Sequence, residues 1–111
     1  MARKTVLIFL GCIFSGFVLF GQSARELFDL GNEAYKSGQY QEALFQYENA
    51  LKQPEGENSA ALHYNLANCY YKTNQLGLSI LHYEKTLKLN PDREEAEYNL
   101  ELANARIVDK V

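Results

Sequence analysis

The segment LFDLGNEAYKSGQYQEALFQYENAL (residues 27–51) returns in altered form as HYNLANCYYKTNQLGLSILHYEKTL (residues 63–87). Aligning Leu30 with Leu66 sets the period at 36 residues. Identical residues then coincide at several positions, including Asn32 with Asn68, Lys36 with Lys72, Tyr47 with Tyr83, Glu48 with Glu84 and Leu51 with Leu87. Self-similarity at a period of about 20 to 50 residues is typical of proteins that stack one structural unit. The sequence therefore predicts a repeat architecture.

Apolar residues within each unit follow the spacing of α-helices. Leu27, Leu30 and Ala34 recur at intervals of three and four residues, which places them on one helical face. Ser37-Gly38 and Thr73-Asn74 supply residues that tolerate positive φ and predict turns between paired helices. We predict an all-α protein of helical hairpins, with helices at about 24–37, 40–53, 59–73, 76–89 and 92–108.

Polar residues mark the expected ends of these helices. Ser23 with Glu26, and Asp92 with Glu95, have the spacing of a capping box, in which two side chains satisfy amides at a helix start. The segment 53–58 and the pair Asn90-Pro91 interrupt the helical pattern after each unit.

These residues together resemble the tetratricopeptide repeat (TPR), a pair of helices with a known pattern of small and aromatic positions. The first unit carries Leu30-Gly31, Gly38-Gln39-Tyr40, Ala43, Tyr47 and Ala50-Leu51, and the second carries Leu66-Ala67, Tyr70, Leu76, Tyr83 and Asn90-Pro91. The resemblance implies a helical-hairpin solenoid with repeats at 24–57 and 60–93. Residues 94–111 would form a capping helix or the opening of a third repeat. Small residues should lie where helices approach closely, at Gly31, Ala43, Ala50 and Ala67.

A narrower resemblance concerns residues 64–72 (YNLANCYYK) and 98–110 (YNLELANARIVDK). They are similar to the N-terminal TPR segment of BatE-type proteins of the Bacteroides aerotolerance group. The resemblance implies an exported repeat segment, which in that family precedes membrane spans and an SH3-like domain. A truncated member and a lone repeat module are both compatible with the sequence.

The first 23 residues have the composition of a secretory signal peptide. Arg3 and Lys4 precede an apolar run at 6–20, and small or polar residues follow at 21–24. The run is shorter than the roughly 20 residues that span a bilayer, which favours cleavage, while retention as a membrane anchor stays open. We expect an exported protein, periplasmic or membrane-associated, in a Gram-negative bacterium.

The charge and size of the remaining chain exclude several classes of function. Without Arg3 and Lys4, 9 basic residues face 14 acidic ones, a balance of −5, so we expect no nucleic-acid partner. Fewer than 90 residues support a modest core rather than a deep catalytic cavity. We expect no enzyme activity, no catalytic residues and no cofactor.

The TPR resemblance implies a concave face, lined by the first helix of each hairpin, that holds a peptide or helix of a partner protein. The groove positions carried over from the family are Phe28, Asn32, Tyr35, Lys36, Tyr64, Asn65, Asn68, Tyr71, Lys72, Tyr98 and Asn99. Tyrosine faces provide contact area, and asparagine amides can bond to a peptide backbone. The alternative is that the aromatic residues pack between helices and the asparagines are solvated.

Other residue combinations carry weaker signals. The basic positions of the TPR clamp for terminal carboxylates hold Phe28, Glu95 and Asn99, so we expect no such recognition. His63 and His82 are 19 residues apart with no further ligand at metal-binding spacing, so we expect no metal site and a packing role for His63. Cys69 should be buried and inert.

The sequence thus predicts a non-catalytic protein–protein interaction scaffold. A second hypothesis is a self-assembling structural module. It rests on Leu100, Leu102, Ala103, Ile107 and Val108, which give the last helix apolar surface without a following partner helix in this sequence.

Overall fold

The computed structural model describes residues 21–110, which form five α-helices and no strand. The helices are α1 (Ala24–Lys36), α2 (Tyr40–Leu51), α3 (Ala60–Lys72), α4 (Leu76–Leu89) and α5 (Glu94–Asp109). The predicted all-α hairpin fold is confirmed, and the predicted helix ends agree with these bounds to within two residues. The signal-peptide prediction at 1–23 lies almost wholly outside the described residues. Within residues 21–110, no helix is both long and apolar enough to cross a membrane.

Both hairpins reverse through a residue with positive φ. Gly38 (φ 76°) lies between α1 and α2, and Asn74 (φ 63°) occupies the equivalent position between α3 and α4. Glycine adopts this region without strain, and asparagine tolerates it better than most residues. The following amides donate back to the preceding helix, from Gln39 to the Ala34 carbonyl at 2.9 Å and from Gln75 to the Tyr70 carbonyl at 2.8 Å. The two repeats therefore share one turn geometry, as the sequence predicts.

The helix starts agree with the sequence less well. Ser23 accepts a hydrogen bond from the Glu26 amide at 3.1 Å, so the first predicted cap is present. Ser59, which we did not predict as a cap, accepts from the Leu62 amide at 3.1 Å. The predicted Asp92–Glu95 capping box is wrong.

The start of α5 shows why that capping box does not form. Arg93 is the N-cap residue and makes no side-chain cap bond. Its amide donates to the Asn90 carbonyl, which extends the turn past Asp92. Its guanidinium lies 4.1 Å from the centre of the Tyr64 ring, a cation–π contact that fixes the chain here.

A buried tyrosine fills the space between α1 and α2. Tyr47 is 1% exposed and lies against Gly31, where an added β-carbon would overlap the tyrosine ring. Ala43 and Ala50, on the same helix as Tyr47, are fully buried. Tyr83 repeats this arrangement in the second hairpin, in a cluster with Ala67. The predicted close-approach positions are confirmed as buried.

The hairpins stack because α2 packs on α3, and α5 packs on α4. Leu62, Leu66 and Cys69 of α3 join the core of the first hairpin. Equivalent leucines differ as a result: Leu66 is fully buried, whereas Leu30 is 37% exposed. α2 covers one side of α3, whereas no helix of residues 21–110 covers the corresponding side of α1.

A histidine pair lies inside the second hairpin. His63 and His82 are buried, and their Nδ1 atoms are 3.0 Å apart. His63 Nε2 lies 2.9 Å from the Glu57 carbonyl, which can only accept, so this nitrogen carries the proton. In the tautomer with the proton on Nε2, Nδ1 of His63 accepts from the Nδ1–H of His82. The packing role predicted for His63 is confirmed, and its polar partner is a further finding.

The surroundings of His82 oppose its protonation. Burial, followed by the nearby His63 and Lys85, lowers the pKa of His82 to about 4. The face of Tyr70 also stacks on the His82 ring, with centroids 5.4 Å apart. Protonation of His82 would place a cation in this buried site, so His82 is neutral in the folded state.

Gly31→Leu tests the close contact in the first hairpin. We expect a loss of about 1–3 kcal/mol in the free energy of unfolding, because the added side chain must displace the Tyr47 ring. Urea denaturation followed by circular dichroism measures it. Gly77→Leu is the matched control, since nothing lies within 4 Å of a β-carbon there. It should gain up to about 1 kcal/mol because leucine favours helix more than glycine does. Equal stabilities for the two variants would contradict this packing.

Stability should fall as the pH drops from about 6.5 towards 4. The unfolded His82, with an ordinary pKa near 6.5, takes up a proton in this window while the folded residue resists it. Between pH 7 and 5 the loss should be about 2 kcal/mol. His82→Asn is the control, because its amide still provides a donor for His63 but does not titrate. An equally steep pH dependence in that variant would rule out His82 as the source.

Candidate peptide-binding groove

Two adjoining cavities, of about 230 and 130 Å³, run along the face formed by α1, α3 and α5. Tyr35 and Asn68 line both of them and form the wall between. The larger cavity is also lined by Tyr71, Lys72, Tyr83, Asn99 and Leu102, and the smaller by Asn32, Lys36, Tyr47 and Asn65. The two cavities form one continuous groove that crosses the boundary between the repeats.

Four asparagines along this groove are linked in two pairs by hydrogen bonds, and we call Asn32, Asn65, Asn68 and Asn99 the asparagine ladder. Asn32 Oδ1 accepts from the Tyr47 hydroxyl and, at 2.8 Å, from Asn65 Nδ2. One repeat later, Asn68 Oδ1 accepts from the Tyr83 hydroxyl and, at 3.3 Å, from Asn99 Nδ2. In each repeat a buried tyrosine therefore orients one asparagine, and the oxygen of that asparagine accepts a second hydrogen bond from an asparagine further along the chain.

The ladder leaves a regular set of amide atoms without partners among residues 21–110. Asn32 and Asn68 use only their oxygens, so each keeps an NH₂ group free. Asn65 and Asn99 use only their NH₂ groups, so each keeps an oxygen free. No buried side-chain nitrogen or oxygen in this range lacks a partner, so the four free groups reach solvent. Donor and acceptor therefore alternate along the groove, as they do along a peptide backbone.

Aromatic side chains flank the ladder and are held in place by their neighbours. The Tyr35 ring packs edge-on against Tyr40, with centroids 5.1 Å apart. Arg106 lies 4.9 Å from the centre of the Tyr71 ring. Both tyrosines are half-buried, so each offers part of its surface to the groove. Fixed aromatic surfaces bind a ligand with little loss of conformational entropy.

The tyrosine hydroxyls beneath the groove stay protonated over the physiological range. Burial, followed by the nearby Cys69, raises the pKa of Tyr47 far above its ordinary value. Burial, followed by the nearby Tyr64, does the same to the pKa of Tyr83. A protonated hydroxyl is the donor that Asn32 and Asn68 require, so the ladder keeps its orientation.

Comparison with protein families identifies this architecture. The sequence model of the tetratricopeptide repeat matches residues 28–94, more than half of the chain. The chain belongs to the tetratricopeptide repeat family. Comparison with characterised proteins gives no significant match. TPR units generally mediate protein–protein interactions, so this face is the candidate interaction surface.

The structure places eight of the eleven predicted groove residues along the two cavities of the TPR groove. Phe28, Tyr64 and Tyr98 lie outside them. Phe28 packs on Tyr47, with centroids 5.9 Å apart, and borders a separate apolar cavity near the start of α1. Tyr64 packs on Tyr83 beneath Arg93 and accepts a hydrogen bond from Asn99 at 3.2 Å. Tyr98 is 63% exposed, one turn before Leu102.

Three groove residues were not predicted: Tyr47, Tyr83 and Leu102. The TPR pattern assigns Tyr47 and Tyr83 to the core, and their rings are indeed buried. Only the hydroxyls reach the groove side, where they meet Asn32 and Asn68. A sequence signal exists nonetheless, because each tyrosine follows its asparagine by 15 residues in both repeats.

Reactive groups are few near the TPR groove. Cys69 is fully buried, as predicted, and burial raises the pKa of its thiol to about 12. A protonated, inaccessible thiol is a poor nucleophile and a poor metal ligand. Across residues 21–110, no group of three His, Cys, Asp or Glu side chains could hold a metal ion.

Asn68→Leu should destabilise the protein even though the residue lines the groove. The change removes the acceptor of the Tyr83 hydroxyl, which costs about 1–3 kcal/mol in the free energy of unfolding. Asn104→Leu, at an exposed position of α5, is the matched control and should change stability by less than about 0.5 kcal/mol. The double variant Asn68→Leu/Tyr83→Phe should lose less stability than the sum of the losses in the two single variants, because both changes remove the same hydrogen bond. Additive losses would mean that this bond does not support the ladder.

Proposed function

We propose that the chain is a non-catalytic interaction scaffold of the bacterial cell envelope, which holds a partner peptide or helix in the TPR groove. The observation that carries this proposal is the alternation of free amide donors and acceptors along the asparagine ladder. An extended backbone offers the complementary sequence of C=O and N–H groups. The geometry therefore favours an extended segment over a helix, whose backbone groups are already bonded to one another.

The groove has the chemistry of a binding surface rather than of a catalytic site. The Tyr47 and Tyr83 hydroxyls are committed to the ladder, and the Cys69 thiol is protonated and inaccessible. An activated nucleophile would need a lowered pKa and a base within hydrogen-bond reach. The groove instead offers aromatic surface and neutral amides, which suits reversible capture of a protein segment.

The proposed envelope location rests on the sequence. Arg3 and Lys4 before the apolar run at 6–20 are typical of an export signal. The resemblance to BatE-type proteins favours a role in a Bat-type membrane-associated assembly, with attachment through a retained N-terminal segment or a downstream region. In this setting a short TPR groove would bring one partner of the assembly to the membrane surface.

Exposed apolar residues on α5 favour self-association as a second candidate function. Leu102 is 42% exposed and Val108 is 70% exposed. Ala103, which we expected to add to this surface, is fully buried beside Tyr83 and Ala96. Leu100 and Ile107 are half-buried. Of the five residues predicted to form this apolar surface, only Leu102 and Val108 are therefore exposed to solvent.

Site-specific photo-crosslinking in the native host tests both candidates. A benzophenone amino acid replaces Leu102 in the groove, Val108 near the end of α5, or Phe45 on α2. All three residues are exposed and apolar, so the substitutions are matched. Phe45 lies two residues before the buried Tyr47 and thus faces away from the core. We expect a discrete adduct with a different protein from position 102 and none from position 45.

The mass of the adducts separates the two functions. An adduct with a second copy of the chain, formed from position 108, would support the self-assembling module instead. Identical adduct patterns at 102 and 45 would mean that the groove has no special role. Absence of any adduct at 102, with the protein folded and exported, would refute the scaffold proposal.

A further inference from the structure

The charges along the TPR groove are all of one sign. Among residues 21–110, Lys36 and Lys72 are the only charged residues that line its two cavities, and both are exposed. Arg106 adds a third positive group above Tyr71. Within residues 21–110, none of the three forms an ion pair with an acidic side chain. The groove therefore presents cations that no acidic side chain of the described chain neutralises.

This arrangement is opposite in sign to the rest of the molecule. Residues 21–110 hold 14 acidic and 9 basic side chains, a net charge of −5, yet no acidic side chain lines either groove cavity. Lys36 and Lys72 are the last residues of α1 and α3, where a cation also stabilises the helix dipole. The helix dipole accounts for the lysines but not for the lack of acids around them. A concave surface with one sign of charge attracts ligands of the opposite sign.

From this we infer that the groove selects acidic segments, so the partner peptide carries aspartate or glutamate side chains that meet Lys36 and Lys72. The inference rests on the proposed function and narrows its ligand. Neighbouring packed helices are about 8–10 Å apart, and an extended chain in the polyproline II conformation has three residues per turn and advances about 3.1 Å per residue. Acidic side chains three residues apart along the peptide would therefore reach the two lysines in turn. The ladder would meanwhile bond to the backbone between them.

This mode differs from recognition of a terminal carboxylate. The lysines occupy equivalent positions in successive repeats, 36 residues apart, and each adjoins a different cavity of the groove. They would read a repeated charge along a segment rather than grip one chain end. An internal segment of a partner, with both ends elsewhere, fits such a groove.

Fluorescence anisotropy with defined peptides tests the inference on the purified full-length chain. The probe is a labelled peptide, Gly-Ser-Glu-Gly-Ser-Glu-Gly-Ser, with blocked ends so that no terminal charge contributes. Matched probes carry glutamine or lysine in place of both glutamates. We expect the glutamate peptide to bind about five- to ten-fold more tightly than the glutamine peptide, as two exposed ion pairs would provide. The lysine peptide should bind more weakly still.

Paired charge variants locate the effect. The double variant Lys36→Gln/Lys72→Gln should remove the preference for glutamate over glutamine. The control Lys52→Gln/Lys88→Gln makes the same change in charge at two exposed lysines, the C-cap residue of α2 and a residue of the last turn of α4, and should keep the preference. Raising the salt from 0.1 to 1 M should also reduce the preference, because the screening length falls from about 10 to 3 Å. Thermal unfolding of each variant shows whether the fold is retained.

The possible results separate this inference from the proposed function. Equal affinity for glutamate and glutamine peptides, with side-chain amide NMR shifts at Asn65 and Asn68, would overturn the acidic preference while supporting the groove. Equal losses in the two double variants would also overturn it, since net charge alone would then explain binding. No detectable binding of any peptide would refute the inference, while photo-crosslinking at Leu102 judges the scaffold proposal independently.

Discussion

The hydrogen bond from a buried tyrosine to a groove asparagine connects the two halves of this structure. The Tyr47 ring is buried and fills the space that Gly31 leaves between α1 and α2. Its hydroxyl donates to Asn32 on the opposite side. Tyr83 and Asn68 repeat the arrangement in the second hairpin. The residue that fixes how two helices approach thus also fixes how the groove presents its amides.

This connection limits which groove residues can change independently. Asn68 faces a cavity, yet it is the acceptor of a hydroxyl whose ring is 1% exposed. Lys36 and Lys72 are exposed, and within residues 21–110 neither makes a side-chain hydrogen bond to the core, although the Lys72 ammonium lies 5.8 Å from the centre of the Tyr40 ring. Substitutions at the lysines and the exposed aromatic residues can therefore alter the surface of the groove with little effect on the fold. Substitutions at Asn32 or Asn68 change both the groove and the packing of a buried tyrosine.

Much of the fold could be predicted because it depends on local rules. The 36-residue period, the helical spacing and the positive-φ positions at Gly38 and Asn74 all follow from residue type and interval. Eight of eleven predicted groove residues line the cavities, because helix register places them on one face. Phe28 and Tyr64 do not, since neighbouring aromatic rings draw them into packing.

The features that sequence reasoning missed depend on partners distant in the chain. The spacing at Asp92 fits a capping box, but Arg93 stacks on Tyr64 and helix α5 starts later. His63 and His82 do not share a local motif, yet the hairpin brings their rings together. Contacts between side chains of different helices depend on how the helices pack in three dimensions, and the spacing of residues in the sequence does not reveal that packing.

The boundary between the repeats is braced in two places. Asn65 bonds to Asn32 in the groove, and the Tyr70 hydroxyl donates to Glu48 of α2 at 2.9 Å. One bond joins α3 to α1 and the other joins α3 to α2, so both helices of the first hairpin are tied to the second hairpin by side-chain hydrogen bonds. Both bonds form without a ligand, so the groove at this boundary is already present in the unbound protein. A groove that is formed in advance favours segments that fit it, because little free energy is then spent on reshaping the protein.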